Sequence, residues 1–200
     1  MLKIDHQTTA FLISALIGIL LIASCKTRSS QTPKPKGYHR IDFPKKTYTQ
    51  FESGCSYTFE YPEYSEIISD PENTGNDCWL NVYYPDFEGN IHISYKEING
   101  NLDTFTEDSR TLVYKHTVKA ESIQEQSYES SERKVYGILY KLEGNVASPM
   151  QFFVTDSTEH FIRGSLYFNT EPNKDSLAPV IEFVQKDIRH LIETLEWKNK

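Results

Sequence analysis

The sequence is poor in cysteine and lacks the short motifs of common enzymes. It has three cysteines in 200 residues, and no histidine or further cysteine lies within a few residues of Cys55 or Cys78, as an ordinary zinc site would require. HExxH, P-loop, GxGxxG, EF-hand and Gly-x-Ser-x-Gly patterns are also missing. We therefore predict no metal, no cofactor and no catalytic residue, and we interpret the protein as something other than an enzyme.

Positive charge is scarce outside one short segment. The whole chain has a formal net charge of −7. Residues 26–46 carry seven Lys and Arg side chains against Asp42 alone, whereas residues 47–200 carry 13 positive and 26 negative side chains. An acidic body gains nothing from counterion release at a phosphate backbone. This excludes nucleic acid as a partner.

Long apolar runs are lacking as well, with one exception at the N-terminus. Residues 11–23 (FLISALIGILLIA) form a 13-residue run, which is short for a transmembrane helix and suits the apolar region of a signal peptide. The run ends in the sequence IASC, typical of a lipobox, where a lipoprotein precursor is cleaved and its cysteine lipidated. We predict a lipoprotein signal peptide over residues 1–24 and a lipid anchor on Cys25. An uncleaved N-terminal membrane helix is the alternative.

The segment after Cys25 has the composition of a linker. It is rich in Ser, Thr, Pro and basic residues, so we predict a flexible tether over residues 25–46 that lies near anionic headgroups. Residues 47–200 are long enough for a single domain with its own core. Lys26, rather than Asp, follows the lipidated cysteine, so the familiar inner-membrane retention signal is absent. We predict attachment to the periplasmic face of the outer membrane.

Two cysteines remain in the domain. In the oxidising cell envelope, two isolated cysteines most simply pair, and we predict a disulfide between Cys55 and Cys78. Such a bridge closes a loop of about two dozen residues and stabilises the fold by about 3 kcal/mol.

The periodicity of apolar residues predicts an α+β domain. Strands are predicted over residues 57–61, 79–84, 91–95, 135–142, 151–155 and 161–168, with an edge strand over 118–128. Helical spacing predicts helices over 102–116, with Thr104 and Glu107 as a capping box, and over 177–195, with Asp175 and Ser176 as N-cap oxygens and Pro179 in the first turn. A mostly antiparallel sheet packed by two helices follows, a layout reminiscent of the Mog1/PsbP-like sandwich.

Two groups of polar residues have the side chains that hydrolases use. His92 and Ser94 share the outward face of one strand, where simple exposure to solvent also accounts for them. Asp156, Ser157 and His160 are the residue types of a catalytic triad, but the sequence DSTE between two apolar strands is typical of a hairpin turn.

Aromatic residues are dense in the first third of the domain. Exposed aromatic side chains in a polar surround favour a protein–protein surface, and completion of the core is the alternative. The candidates are Tyr38, Tyr48, Phe51, Tyr83, Tyr84 and Phe87.

Long stretches of the chain resemble one protein family. They are PKGYHRIDFP, CSYTFEYPEY, CWLNVYYPDFEGNIHISYK, EDSRTLVYKHTVKA, VYGILYKLEGNVASPMQFFVTDSTEHFIRGSLYFN and DSLAPVIEFVQKDIRHLIETLEW. Together these stretches resemble the gliding-motility lipoprotein GldD family of the Bacteroidetes, from about residue 35 to residue 197. The resemblance carries over the lipidated Cys25 and the Cys55–Cys78 pair, and no catalytic residue.

The resemblance implies a function in the cell envelope. It implies a protein needed for gliding motility and for the associated type IX secretion machinery, with other gliding lipoproteins of the GldB, GldH and GldJ type as partners. The implied role is binding and stabilising those proteins. Two alternatives are an envelope hydrolase that uses the polar residues named above and a carrier of a lipid or glycan.

Overall fold

The computed structural model describes residues 40–69 and 78–198, which form two α-helices and a set of antiparallel strands. The predicted signal peptide, Cys25 and the tether up to residue 39 lie outside the described residues. Helix α1 spans Leu102–Tyr114 and helix α2 spans Lys174–Thr194. Short 3-10 helices cover Pro85–Phe87 and Lys115–Val118. The strands are β1 Tyr48–Gln50, β2 Tyr57–Thr58, β3 Glu60–Pro62, β4 Glu66–Ser69, β5 Leu80–Tyr84, β6 Gly89–Glu97, β7 Ala120–Ser130, β8 Val135–Gly144, β9 Met150–Thr155, β10 His160–Phe168 and β11 Glu196–Trp197.

The main sheet has seven antiparallel strands in the order β4-β5-β6-β10-β9-β8-β7. The predicted hairpin of β5 and β6 and the predicted meander of β8, β9 and β10 are both present, and β7 is the predicted edge strand. Two small sheets, β1 with β3 and β2 with β11, complete the described part. The prediction of an α+β domain with a mostly antiparallel sheet is confirmed.

The two helices pack on opposite faces of the main sheet. Neighbouring residues of a strand point to opposite faces, and the adjacent Phe152 and Phe153 of β9 belong to different apolar clusters. Phe152 packs with Val184 and other residues of α2, whereas Phe153 packs with Val113 of α1. We call these the α2 face and the α1 face. The α2 face holds the larger cluster and is the main core.

In the main core, the ring of Phe152 on β9 lies directly against Gly164 on β10. A Cβ atom built on Gly164 of β10 would lie 2.1 Å from Cε1 of Phe152. Only glycine leaves room for this ring, which is a common reason for glycine inside a strand.

Cys55 and Cys78 are joined by a disulfide, with their Cα atoms 5.5 Å apart. The bridge links the chain ahead of β2 to the chain ahead of β5. Because Tyr57 donates a hydrogen bond to the backbone oxygen of Cys78 at 2.7 Å, the same two segments are also joined next to the bridge.

The helix ends differ from the predictions. The N-cap of α1 is Asn101 without a side-chain cap bond, so the predicted capping box of Thr104 and Glu107 is wrong. The N-cap of α2 is Asn173, whose side chain accepts a hydrogen bond from the backbone N–H of Ser176. The helix therefore begins three residues earlier than predicted, at Lys174, and Pro179 lies beyond its first turn.

Within residues 40–69 and 78–198, no helix has the length and apolar character needed to cross a membrane.

Candidate functional site

The α1 face of β5, β6 and β10 carries polar side chains, whereas the opposite face of the same strands is apolar. On β6, Ile91 and Ile93 are buried in the main core, and the alternating His92 and Ser94 point to the α1 face. This alternation is the predicted one. Because paired residues of antiparallel strands share a face, Arg163, which pairs with Ser94, lies on the α1 face as well.

A row of polar residues crosses this face from strand to strand. Asn81 pairs with His92, His92 with Ser165, and Ser165 with Gln151. Asn81, Ser165 and Gln151 are buried, and their atoms Oδ1, Oγ and Nε2 have no hydrogen-bond partner among the described residues. A buried polar atom without a partner costs about 1–3 kcal/mol. Such a row is therefore an unusual feature and marks this face as a candidate site.

A cavity of about 520 Å³ lies on the α1 face beside helix α1. Its lining combines aromatic, aliphatic, hydroxyl and basic side chains from β6, β10 and the helix. The lining residues that bear on its chemistry are Trp79, His92, Ser94, Lys96, Phe105, Asp108, Leu112, Lys115 and Arg163. A second concavity, of about 490 Å³, shares His92 with the first and includes Tyr83, Asn90 and Tyr167.

The cavity is positively charged within an acidic domain. Its lining has three cations, Lys96, Lys115 and Arg163, and one carboxylate, Asp108. Among the described residues, none of the three cations has a carboxylate within 4.0 Å. Burial lowers the pKa of Arg163. Burial also lowers the pKa of the neighbouring His116, and the charge of Arg163 lowers it further.

Arg163 is held in place by a neighbouring strand. Its Nη2 donates a hydrogen bond to Oε1 of Gln151 at 2.6 Å. This bond occupies the amide oxygen of Gln151 and leaves the amide nitrogen as one of the unpartnered atoms. The guanidinium keeps further donors for a ligand, because it has five N–H groups in a rigid plane.

Of the two predicted groups of hydrolytic residues, one lies at the cavity and the other forms a hairpin turn. His92 and Ser94 both line the cavity. Asp156, by contrast, accepts hydrogen bonds from the backbone N–H groups of Thr158, Glu159 and His160 at 2.8–3.0 Å. Burial raises the pKa of Asp156, but these hydrogen bonds outweigh it and leave the pKa below its ordinary value. The segment is the hairpin turn that the sequence favours.

His160 has its own structural partners. Its Nδ1 lies 2.8 Å from the hydroxyl of Tyr95, and its ring stacks on Trp197 at a centroid distance of 5.1 Å. The imidazole of His160 on β10 therefore packs between Tyr95 of β6 and Trp197 of β11. In the described ranges, no group of three or more His, Cys, Asp or Glu side chains is placed to hold a metal ion.

A second polar cluster lies on α2, where the predicted tether meets the domain. Asp187 is 1% exposed. Nζ of Lys46 lies 2.6 Å from Oδ1 of Asp187, and the hydroxyls of Tyr48 and Tyr64 donate to the same carboxylate at 2.9 and 2.8 Å. Phe43 stacks on Phe183 of α2 at 4.5 Å. The last residues of the segment assigned to the tether are therefore bound to the domain.

Burial in this cluster shifts the pKa of each group that contacts Asp187, namely Lys46, Tyr48 and Tyr64. Burial lowers the pKa of Lys46, and the hydrogen bond and charge of Asp187 offset only part of that effect. Burial and the charge of Asp187 raise the pKa of Tyr48 and of Tyr64. Both tyrosines thus remain neutral hydrogen-bond donors.

Most of the predicted surface aromatics contribute to the core. Tyr84 is 1% exposed and belongs to the main apolar cluster, so for this residue the alternative, completion of the core, is the one observed. Phe51 and Phe87 pack partly buried against that cluster. Tyr83 lies on the α1 face and lines the second concavity. Tyr38 lies outside the described residues.

The sequence predictions did not name Arg163, Gln151 or Asp187. Asp187 had a detectable signal, because it lies three residues after Val184 and four before Leu191, on the apolar stripe of α2. A charged residue on such a stripe requires a buried partner. Arg163 and Gln151 had no comparable signal, because their contact depends on the pairing of β9 with β10.

Comparison with known proteins identifies the family. The family model described as gliding motility lipoprotein GldD matches residues 28–197. The match covers most of the chain, so the chain belongs to this family. The resemblance seen in the sequence is thereby confirmed.

One solved structure is similar over most of its length. The solution structure of cyanobacterial PsbP (CyanoP) from Synechocystis sp. PCC 6803 has 11% sequence identity and a TM-score of 0.46, and the match covers 82% of this chain and 99% of that protein. A similarity this low carries no argument about function. No curated protein sequence matches the chain.

Proposed function

We propose that this member of the gliding motility lipoprotein GldD family is a membrane-anchored accessory protein of gliding motility and of the associated type IX secretion machinery. It acts by binding and stabilising other envelope lipoproteins, those of the GldB, GldH and GldJ type. The observation that carries the proposal is the family match over residues 28–197.

The described structure supports a binding role in two ways. The α1 face offers a cavity with cations that no carboxylate neutralises within the described residues. The Asp156 turn, one of the two groups that the hydrolase alternative could use, is engaged in backbone hydrogen bonds and packing. A hydrolase would therefore have to use the other group, His92 and Ser94, which lines the cavity.

The anchor is part of the proposal. Lipid on Cys25 would hold the domain at the periplasmic face of the outer membrane. Confinement to one surface raises the effective concentration of the domain for partners on the same membrane. The ion pair between Lys46 and Asp187 holds Lys46, the last residue assigned to the tether, against α2.

A deletion strain tests the proposal. Loss of the protein should lower the abundance of the GldB, GldH and GldJ type lipoproteins, measured by quantitative mass spectrometry of envelopes. Gliding, or type IX secretion where the organism does not glide, should fall in parallel, and the wild-type gene should restore both. Unchanged abundance of all three lipoproteins in a strain that has lost motility would contradict a stabilising role.

A further inference from the structure

We infer that the cavity beside α1 is an anion-binding site that accepts an acidic side chain of a partner protein. The inference rests on the proposed binding function and adds to it a surface and a ligand chemistry. An apolar neighbour of the acidic side chain would pack on Phe105 and Leu112.

The charge of the cavity is opposite to that of the domain around it. Residues 47–200 have 26 negative and 13 positive side chains, yet the cavity is lined by Lys96, Lys115 and Arg163 with Asp108 as the single carboxylate. A cluster of cations without ion-pair partners attracts anions locally, even on a domain whose net charge is negative. Carboxylates are the anions that a protein partner supplies.

Arg163 is held in a fixed position at the cavity. Arg163 is partly buried, and Gln151 fixes its guanidinium through the 2.6 Å hydrogen bond. Further along the same face, Oγ of Ser165 and the amide nitrogen of Gln151 are buried without a partner among the described residues, although neither residue lines the cavity. A planar guanidinium held by a neighbouring strand is suited to a carboxylate, which it binds through two parallel hydrogen bonds.

Apolar side chains in the lining favour a ligand that also has an apolar part. Nζ of Lys96 lies 4.7 Å from the centre of the Phe105 ring, which places a cation and an aromatic surface side by side. Leu112 is 39% exposed, and Val118, in the 3-10 helix that follows α1, is 91% exposed. The apolar side chains that line the cavity, the half-buried Phe105 and the exposed Leu112, fit a polypeptide segment better than a free inorganic anion.

Photo-crosslinking of the full-length lipoprotein in cells tests the inference. Benzoylphenylalanine replaces Leu112 at the cavity, or Glu182 on the exposed side of α2 as the control position. Each is combined with Lys96→Glu, Lys115→Glu or, as the matched control, Lys186→Glu on α2. These three lysines are exposed, so the variants should fold, and immunoblots of protein abundance verify this.

We expect the Leu112 position to crosslink an envelope protein at a peptide next to Asp or Glu, identified by mass spectrometry. Lys96→Glu and Lys115→Glu should each reduce this product by about tenfold or more, because like charges then meet in the cavity. Lys186→Glu should leave it unchanged. Replacing the acidic residue of the partner by Lys should restore the product with Lys115→Glu.

Three results would overturn the inference in distinguishable ways. If the yield of the Leu112 crosslink is the same with Lys96→Glu and Lys115→Glu as without them, the cavity is not an anion site. Crosslinks from Glu182 alone place the binding surface elsewhere and leave the proposed function intact. If neither position crosslinks a protein, the cavity does not bind a partner protein and the inference is wrong. Titration of the full-length protein with inorganic phosphate then shows whether the cavity binds a free anion instead. The proposed function is lost as well only if the deletion strain also keeps normal levels of the other lipoproteins.

Discussion

Removal of the Asp187 carboxylate tests whether the contacts of Lys46, Tyr48 and Tyr64 with Asp187 stabilise the protein. We call these contacts the clamp. Asp187→Ala deprives Lys46, Tyr48 and Tyr64 of their shared acceptor. Breaking a buried ion pair by removing one partner costs about 3–5 kcal/mol. The side chain of Lys46 is 26% exposed and can be partly hydrated, so we expect the lower end of that range.

The expected loss is measurable as a shift in unfolding. For a domain of this size each kcal/mol corresponds to about 2–4 °C, so a loss of about 3 kcal/mol lowers the Tm by roughly 6–12 °C. Thermal and urea unfolding of the full-length protein in detergent measure it. Glu182→Ala, an exposed change on the same helix, is the control, and Asp187→Asn should keep part of the stability because its amide oxygen still accepts.

Limited proteolysis adds a local measurement to the same experiment. Loss of the clamp should make the peptide bonds after Lys45 and Lys46 more sensitive to trypsin than in the Glu182→Ala control. The reasoning is refuted if Asp187→Ala and Glu182→Ala unfold at the same temperature and are cleaved at the same rate.

Three further predictions concern the core, the Asp156 turn and the anchor. Gly164→Ala should destabilise the protein by about 1–3 kcal/mol in urea unfolding, because its Cβ would overlap the Phe152 ring, whereas Gly54→Ala, with no atom within 4 Å, should have a much smaller effect. Asp156→Ala should cost on the order of 1–2 kcal/mol near neutral pH. Its depressed pKa means that the charge-dependent part of this contribution is present above the ordinary pKa of an Asp carboxyl and is lost as the pH falls through the lower folded-state pKa, so the difference between wild type and variant should narrow in acid, while Asp156→Asn, which keeps a neutral acceptor, should lose less at neutral pH. Cys25→Ala should release the protein from sedimented membranes and impair function without changing the Tm of the domain; a fully active soluble variant would contradict the proposed need for the anchor.

The sequence was sufficient for most of the fold because its periodicities are strong. The α2 helix carries Val184, Ile188 and Leu191 on one stripe, and these residues are buried as predicted. The alternation of Ile91, His92 and Ile93 predicted correctly which side chains face the core. Such a pattern lies within a single helix or strand, so it can be recognised without knowing which distant segments pack against it.

The missed parts of the fold depend on contacts between distant segments. Strand β4 has four residues, mostly exposed, and forms because Glu66 to Ser69 pair with β5. The true N-cap of α2, Asn173, lies outside the apolar stripe from which the helix was predicted. Short strands and helix ends are therefore decided by tertiary pairing and capping geometry, which apolar periodicity does not report.

The candidate site was only partly predictable for the same reason. His92 and Ser94 were identified as neighbours on one strand face, and both line the cavity. The contribution of Arg163, Ser165 and Gln151 required the register that pairs β10 with β6 and β9. A shift of one residue in that register would turn these side chains to the opposite face.

Copurification of the native lipoprotein with its neighbours tests the central claim, that the protein acts by binding, most directly. The full-length, lipidated protein is extracted from membranes through an affinity tag, and its copurifying proteins are quantified by mass spectrometry against an untagged strain. We predict enrichment of at least one lipoprotein of the GldB, GldH or GldJ type. Absence of every such lipoprotein from the purified material, in a strain whose tagged protein supports normal motility or secretion, would contradict the account.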